Sequence, residues 1–230
     1  MKIAAITHSK GGVGKSLSAY QVIAYAHYSG LDYLAIDCDV DNRTISTIND
    51  HMRKTSQINA KDGTVTVVRQ KLNIKMATSG PHLKKIIQDA QDKDFIIIDT
   101  GGNSNEITQE AIRLSHKIIT PISNDAITEA VGFTRFKSVL KFCGNPKIYA
   151  TFCNVNSRTS RFANMQNILN SYSNIDYMKT GLKTRSIYKQ ALAKGLGIVE
   201  LEPTKNKTYN QKLQKAKQEA VEFSKEVLKG

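Results

Sequence analysis

Residues 6–17 read ITHSKGGVGKSL, and Lys10 to Ser16 place three glycines, two lysines and a serine within seven positions. Glycines cluster where a backbone must come close to a ligand, and lysines beside them supply positive charge, so the implied chemistry is phosphate binding. Gly14-Lys15-Ser16 ends as the G-x-x-x-x-G-K-[ST] loop ends. The first glycine of that pattern falls on Ser9, and an extra lysine, Lys10, stands next to it. In such a loop the backbone around Gly11, Gly12, Val13, Gly14, Lys15, Ser16 and Leu17 cradles the phosphates. Lys15 reaches the β- and γ-phosphates, and the Ser16 hydroxyl holds Mg²⁺. The expectation is a nucleoside triphosphate site.

Two carboxylate-bearing stretches support it. IDCDVDNRT (36–44) carries Asp37, Asp39 and Asp41 directly after an apolar run. FIIIDTGG (95–102) ends an isoleucine run in Asp99 and two glycines, where an acid that holds Mg²⁺ is expected. One of the three aspartates after the first run also fits a helix cap and turn.

These side chains need a scaffold that gathers strand ends. Apolar runs at KIAAITH (2–8), YLAID (33–37), LNIKMAT (72–78), DFIIID (94–99), HKIITPI (116–122) and KIYATFCNV (147–155) read as strands. Helical patterns alternate with them over 16–30, from Pro81 onward, over 124–142 and over 159–170. The tail from 205 reads as one long helix with Leu213, Ala216, Ala220, Phe223 and Val227 inward. Strand–helix alternation predicts an α/β fold, a mostly parallel twisted sheet with helices on both faces. Ligands of such sheets bind outside the carboxyl ends of the strands, where the loop and the acids fall. No linker-like stretch divides the chain, so a single P-loop NTPase domain over 1–230 is expected.

Bulk properties exclude several classes. No apolar run approaches the roughly 18 residues of a membrane span, and the amino terminus leads into a strand rather than a signal peptide. Cys38, Cys143 and Cys153 form no C-x-x-C pair, which suits a reduced cytoplasm. The net charge of +13 is uneven: residues 1–130 hold 15 Lys/Arg and 14 Asp/Glu, residues 131–230 hold 18 and 6. A basic carboxyl-terminal part is either a solvated surface or the footprint of a polyanion such as nucleic acid.

The sequence resembles the ParA/MinD family of deviant Walker A ATPases, and within it the small plasmid-type ParA partition proteins. The resemblance rests on KGGVGKS with Lys10, on IDCDVD, on FIIIDTGG and on TRSIYKQALAKGLGIVEL (184–201), and spans roughly residues 2–228. It implies that Lys10 reaches the nucleotide of a second subunit in an ATP sandwich dimer, so Lys10 and Lys15 are catalytic. It implies too that Asp39 orients the attacking water, that Ser16 and Asp99 hold Mg²⁺, and that Asn154 contacts adenine. The sequence departs from the family where Val40, Asp41 and Asn42 follow Asp39, which leaves Asp37 as the reserve for the water. It also reads Lys15-Ser16-Leu17 where threonines are usual.

The implied function is DNA segregation. ATP drives dimerisation, the dimer binds DNA without sequence preference, and a ParB-like centromere-binding partner stimulates an otherwise slow hydrolysis to ADP and phosphate. Lys179, Lys183, Arg185 and Lys189 are the candidate DNA contacts, with Lys212, Lys215 and Lys217 extending the patch; Arg185 and Lys189, four apart, would share a helix face. Neither the amino-terminal helix-turn-helix domain of larger ParA proteins nor the closing membrane helix of MinD is expected. The protein would be cytoplasmic, on the nucleoid when ATP-bound, without stable membrane insertion. The alternatives are a positioning ATPase for another cargo, MinD-like or conjugation-associated, and a metabolic P-loop ligase resembling dethiobiotin synthetase, against which Lys10 argues.

Overall fold

Seven strands form one parallel sheet in the order β3-β2-β4-β1-β5-β6-β7. They are β1 (Lys2–Ile6), β2 (Tyr33–Cys38), β3 (Ile74–Met76), β4 (Phe95–Thr100), β5 (Lys117–Ile122), β6 (Ile148–Phe152) and β7 (Ile175–Tyr177). The computed structural model describes residues 1–52, 70–103, 105–123, 126–153, 170 and 173–229, with the side chains of 52 and 126–131 outside the description. β2, YLAIDC, is buried at every position and β4, FIIIDT, at all but its first. Strands covered on both faces show continuous apolar runs rather than alternation, which is why these segments are legible in the sequence.

Among the described residues the α-helices are α1 (Lys15–Tyr28), α2 (Thr44–Thr47), α3 (Gly80–Gln88), α4 (Glu106–Leu114), α5 (Ala126–Phe142), α6 (Ser186–Leu192) and α7 (Lys207–Leu228). On one face, α1 and α7 bury Tyr20, Ile23, Leu213, Phe223 and Val227 together with Ile6 and Ile97. On the other, α3 and α4 cover Ile36, Ile96 and Ile98, and α5 lays Phe133 and Phe136 against Ile118 and Ile122. The expected inner face of α7, Leu213, Ala216, Ala220, Phe223 and Val227, is buried as read.

The central strands bring the site together. β1 lies between β4 and β5, and β4 lies between β1 and β2. In register, Ile6 pairs with Asp99 and Asp37 pairs with Asp99. The glycine loop, the aspartates after β2 and Asp99 therefore meet at one edge of the sheet, at the carboxyl ends of its central strands. The short strand β7 and the four-residue α2 carry too few residues for a periodic signal. The helical pattern over 159–170 lies outside the described residues except for residue 170.

Candidate active site

The loop leaves β1 at Ile6 and enters α1 at Lys15. Gly12 (φ 76°) and Gly14 (φ 99°) take left-handed backbone, which a side chain would strain. Gly14 is the N-cap of α1 and supplies no side-chain cap, whereas Ser79, Asn105 and Asn206 cap α3, α4 and α7. The first N–H groups of α1 thus receive no side-chain acceptor at the cap and face the strand ends with the positive end of the helix. Such an end suits an anion.

Lys15 is 6% exposed, and its Nζ donates to the Lys10 carbonyl at 2.8 Å. Val13 is buried, Ser16 and Leu17 are half-buried, and Gly11 and Gly12 are exposed. Behind the loop, Cys153 at the end of β6 sits 3.3 Å from Ser18 through Sγ and Oγ. A methyl on Gly14 would lie 3.5 Å from Cys153 Cβ. Asn154, the next residue, lies outside the described residues.

The acids divide by what holds them. Asp37 is fully buried, and its two oxygens accept the Asp39 N–H and the Ser46 N–H, each at 3.0 Å. It brackets the turn after β2; burial pushes its carboxyl up, against those hydrogen bonds. Asp39 is 7% exposed and is held by Asn42, whose N–H and side-chain amide donate to it at 3.1–3.2 Å. The residue that departs from the family pattern therefore orients the acid. Asp39 also faces the turn after β4, since a methyl on Gly101 would lie 3.1 Å from its Oδ1. Asp41 is exposed and accepts the Asn103 amide at 2.9 Å.

Asp99 is fully buried, and among the described residues neither of its oxygens has a hydrogen-bond partner. Burial pushes its carboxyl up to about 8, and Asp37 and Asp39 push the same way; the Ser16 hydroxyl and the Lys15 ammonium oppose them. A buried carboxylate with orphaned oxygens beside a serine hydroxyl is a donor set for a hard divalent cation. The residues present fit Mg²⁺, with Asp99 and Ser16 to hold it. Bound there, the ion would neutralise phosphate charge.

Sequence reasoning missed three residues that brace the loop. Thr100 donates to Thr7 Oγ1 at 2.9 Å and ties β4 to β1 beneath the loop. Gly102 approaches the loop so closely that a methyl would lie 3.3 Å from the Gly11 nitrogen. The glycine pair after Asp99 is the signal for such a turn. His8, buried against α5, accepts the Lys10 N–H through Nδ1 at 3.0 Å; a single histidine gave no sign of this.

Away from this edge lies the expected basic set. Lys179, Lys183 and Lys189 are exposed, and Arg185 is half-buried. Arg185 Nε donates to Glu219 at 2.7 Å, and the Lys183 N–H donates to the same carboxylate. Arg185 precedes α6 with extended backbone (φ −139°, ψ 127°), so it does not share a helix face with Lys189 as spacing suggested. The rest of that motif is structural: Gly195 accepts the Tyr20 hydroxyl, and Gly197 packs where a methyl would meet Ala24 at 2.2 Å.

The sequence model of the family described as ATPase MipZ matches residues 2–166. No curated protein sequence matches the chain at a significant level. Among solved structures, a chain of the MinC:MinD cell division protein complex from Aquifex aeolicus superposes with a TM-score of 0.72 at 13% identity, covering 100% of this chain and 96% of that one. The septum site-determining protein MinD from Pyrococcus horikoshii, complexed with Mg-ADP, gives 0.68 at 19% identity, over 99% of this chain and 96% of that one. A plasmid partition protein from Borrelia burgdorferi bound to AMPPNP gives 0.59 at 17% identity, over 94% of this chain and 97% of that one. These are likenesses of fold, and they match the fold read from the strand–helix alternation.

Proposed function

Because the chain belongs to the ATPase MipZ family, a ParA/MinD-type group, we propose that it is a partition ATPase of the ParA kind. In this reading it forms an ATP sandwich dimer, binds DNA without sequence preference and moves a DNA cargo with a ParB-like partner. The observation that carries the nucleotide part is the uncapped α1 behind Gly14, with Lys15, Ser16 and the orphaned Asp99 at one sheet edge. Lys15 must leave the Lys10 carbonyl to meet the β- and γ-phosphates. Asp39, fixed by Asn42, is the acid that orients the water, while Asp37 is committed to two backbone N–H groups. Lys10 is the residue for the partner subunit's nucleotide: two facing triphosphates concentrate negative charge, and a lysine in trans neutralises it only in the dimer.

The DNA part is supported by the charge excess of the carboxyl-terminal part and by exposed Lys179, Lys183 and Lys189. The nucleotide-bound plasmid partition protein of the same fold supports the cargo. A positioning ATPase for another cargo is the second reading, favoured by the fold likeness to MinD in a complex with MinC, where a protein partner docks. Among the described residues, no helix is long and apolar enough to cross a membrane.

Mobility shifts on two unrelated DNA fragments, with and without ATP over a salt series, test the reading. With about four phosphate contacts per subunit, log affinity falls against log salt with a slope near −3.6 per subunit, and ATP steepens it. Replacing Lys183, Arg185 and Lys189 together by Ala flattens the slope for both fragments and leaves ATP binding intact. Salt-insensitive binding, or strong preference for one fragment, removes the non-specific DNA role and leaves the second reading.

A further inference from the structure

The extra lysine has a seat built from a neighbouring strand end and a helix. Ser9 Oγ donates to the Gly132 carbonyl of α5 at 2.5 Å. Lys10 N–H donates to His8 Nδ1 at 3.0 Å. A methyl placed on Gly132 would stand 3.1 Å from Lys10 Cβ and 3.4 Å from both Lys10 Cδ and His8 Cε1. The His8 ring stacks on Phe136 of the same helix, centroids 5.5 Å apart at 15°, and tilts against Phe133 at 6.3 Å. Five residues of the loop and of α5, His8, Ser9, Gly132, Phe133 and Phe136, thus lock the backbone from which Lys10 springs.

Gly132 is an anomaly until this contact is seen. Glycine inside a helix is less favourable than alanine, so its place within the 17-residue α5 needs a reason. The reason is the close approach of Lys10 and His8. His8 must also stay neutral to accept at Nδ1, and it does: burial, then the Lys15 and Lys10 charges, press its imidazole down to about 3.

We propose that His8 and Gly132 are positioning residues that seat Lys10, setting the direction in which it leaves the loop and so its reach to a second subunit. This rests on the dimer reading above and assigns α5 a part in it: Lys10 and α5 move as one body. Nothing in the chemistry of phosphate binding within one subunit requires the seat, so its loss should separate dimerisation from nucleotide binding.

The experiment compares His8→Leu, His8→Asn and Gly132→Ala with the wild type. Leucine keeps bulk and loses the acceptor; asparagine offers an amide oxygen close to where Nδ1 stands. Gly132→Ala raises intrinsic helix propensity, and its ADP affinity reports whether the variant folds. Monomer affinity for ADP is read by fluorescence of a labelled nucleotide, and the dimer dissociation constant by ultracentrifugation with a slowly hydrolysed ATP analogue. His8→Leu should weaken the dimer about tenfold or more, the size of one lost buried hydrogen bond, and Gly132→Ala should weaken it severalfold by crowding Lys10 Cβ, each with ADP affinity within about threefold. His8→Asn should recover most of the loss. Wild-type dimerisation in both variants overturns the seat alone, as does a His8→Asn dimer as weak as that of His8→Leu. A wild type that stays monomeric with the analogue overturns the dimer reading and the seat with it.

Discussion

The loop edge around Lys15 and the basic surface at and ahead of α6 hold their charges in opposite ways. At the edge, Lys15, Asp37, Asp39 and Asp99 are all buried; Lys15, Asp37 and Asp39 are each fixed by a named backbone or side-chain group, and the Asp99 oxygens have no partner among the described residues. On the basic surface, Lys179, Lys183 and Lys189 stand in solvent. Buried charge makes each group singular, because low dielectric magnifies its interactions and penalises its loss. Exposed charge makes groups interchangeable, because screening leaves each a small additive share. Substitutions should therefore be all-or-none at the edge and graded on the surface.

The largest effect belongs to the loop lysines. Lys15→Gln should abolish productive ATP binding, since the phosphates lose their positive anchor. Lys10→Ala should leave nucleotide binding to the monomer nearly intact and remove ATP-dependent dimerisation. Nucleotide titration and size-exclusion runs with a slowly hydrolysed analogue separate the two. A normal dimer from Lys10→Ala would break the sandwich reading.

Next come the two aspartates after β2, which should fail differently. Asp39→Ala should bind ATP, dimerise and then stay trapped, with turnover down roughly a hundredfold or more. Asp37→Ala leaves the Asp39 and Ser46 N–H groups without their acceptor and should lower stability by about 1–3 kcal/mol per stranded group. Turnover assays and thermal melts on both variants decide. If Asp39→Ala hydrolyses ATP at the wild-type rate while Asp37→Ala folds and does not, the roles are reversed.

Asp99 sharpens the contrast, because there the proposed Mg²⁺ role opposes stability. Its folded carboxyl sits near 8 against an ordinary 3.8, pushed there by burial. The folded state therefore holds the proton more tightly, and stability contributed below the unfolded value is lost as pH rises toward 8. Asp99→Asn should melt higher than the wild type above pH 8, at roughly 2–4 °C per kcal/mol recovered, with the gain shrinking toward pH 4. The same variant should lose Mg²⁺-dependent turnover. Wild-type Mg²⁺-nucleotide binding should tighten as pH rises to 8, because the ion displaces that proton. His8 acts with the other sign: held near 3 by burial and by the two lysines, it withdraws stability as pH falls below 6.5. Melts across pH in the absence of nucleotide test both arms; a pH-independent advantage of Asp99→Asn would refute the account.

How much of this the sequence carried follows the same division. The central strands were legible because burial on both faces writes itself as FIIID and YLAID, and the loop because close approach to phosphate demands glycine. The family pattern also singled out Asp39, but not its partner Asn42, which looked like a mere departure. His8 and Gly132 were opaque, since the contact joining them crosses about 120 residues of chain and has no local period. Arg185 was misplaced onto α6 because i,i+4 spacing says nothing of where a helix starts.

The smallest predicted effect lies at a point where the surface behaves like the edge. Glu219 has a side chain 11% exposed, and it receives both the Lys183 N–H and Arg185 Nε. It therefore has two actions: it clamps the segment ahead of α6 onto α7, and it neutralises the guanidinium of Arg185. Glu219→Gln keeps shape and an acceptor oxygen but removes the charge. The clamp weakens by about 1 kcal/mol, in the range for a charge-assisted hydrogen bond reduced to a neutral one. The guanidinium, no longer countered, becomes available to phosphate, so DNA affinity should rise severalfold and the log–log salt slope steepen by about 0.9 per subunit, one more contact. Melting curves and the salt series together give two signs from one substitution: lower stability with tighter, more salt-dependent binding. If affinity falls along with stability, Arg185 belongs wholly to the scaffold, and the DNA surface consists of the exposed lysines alone.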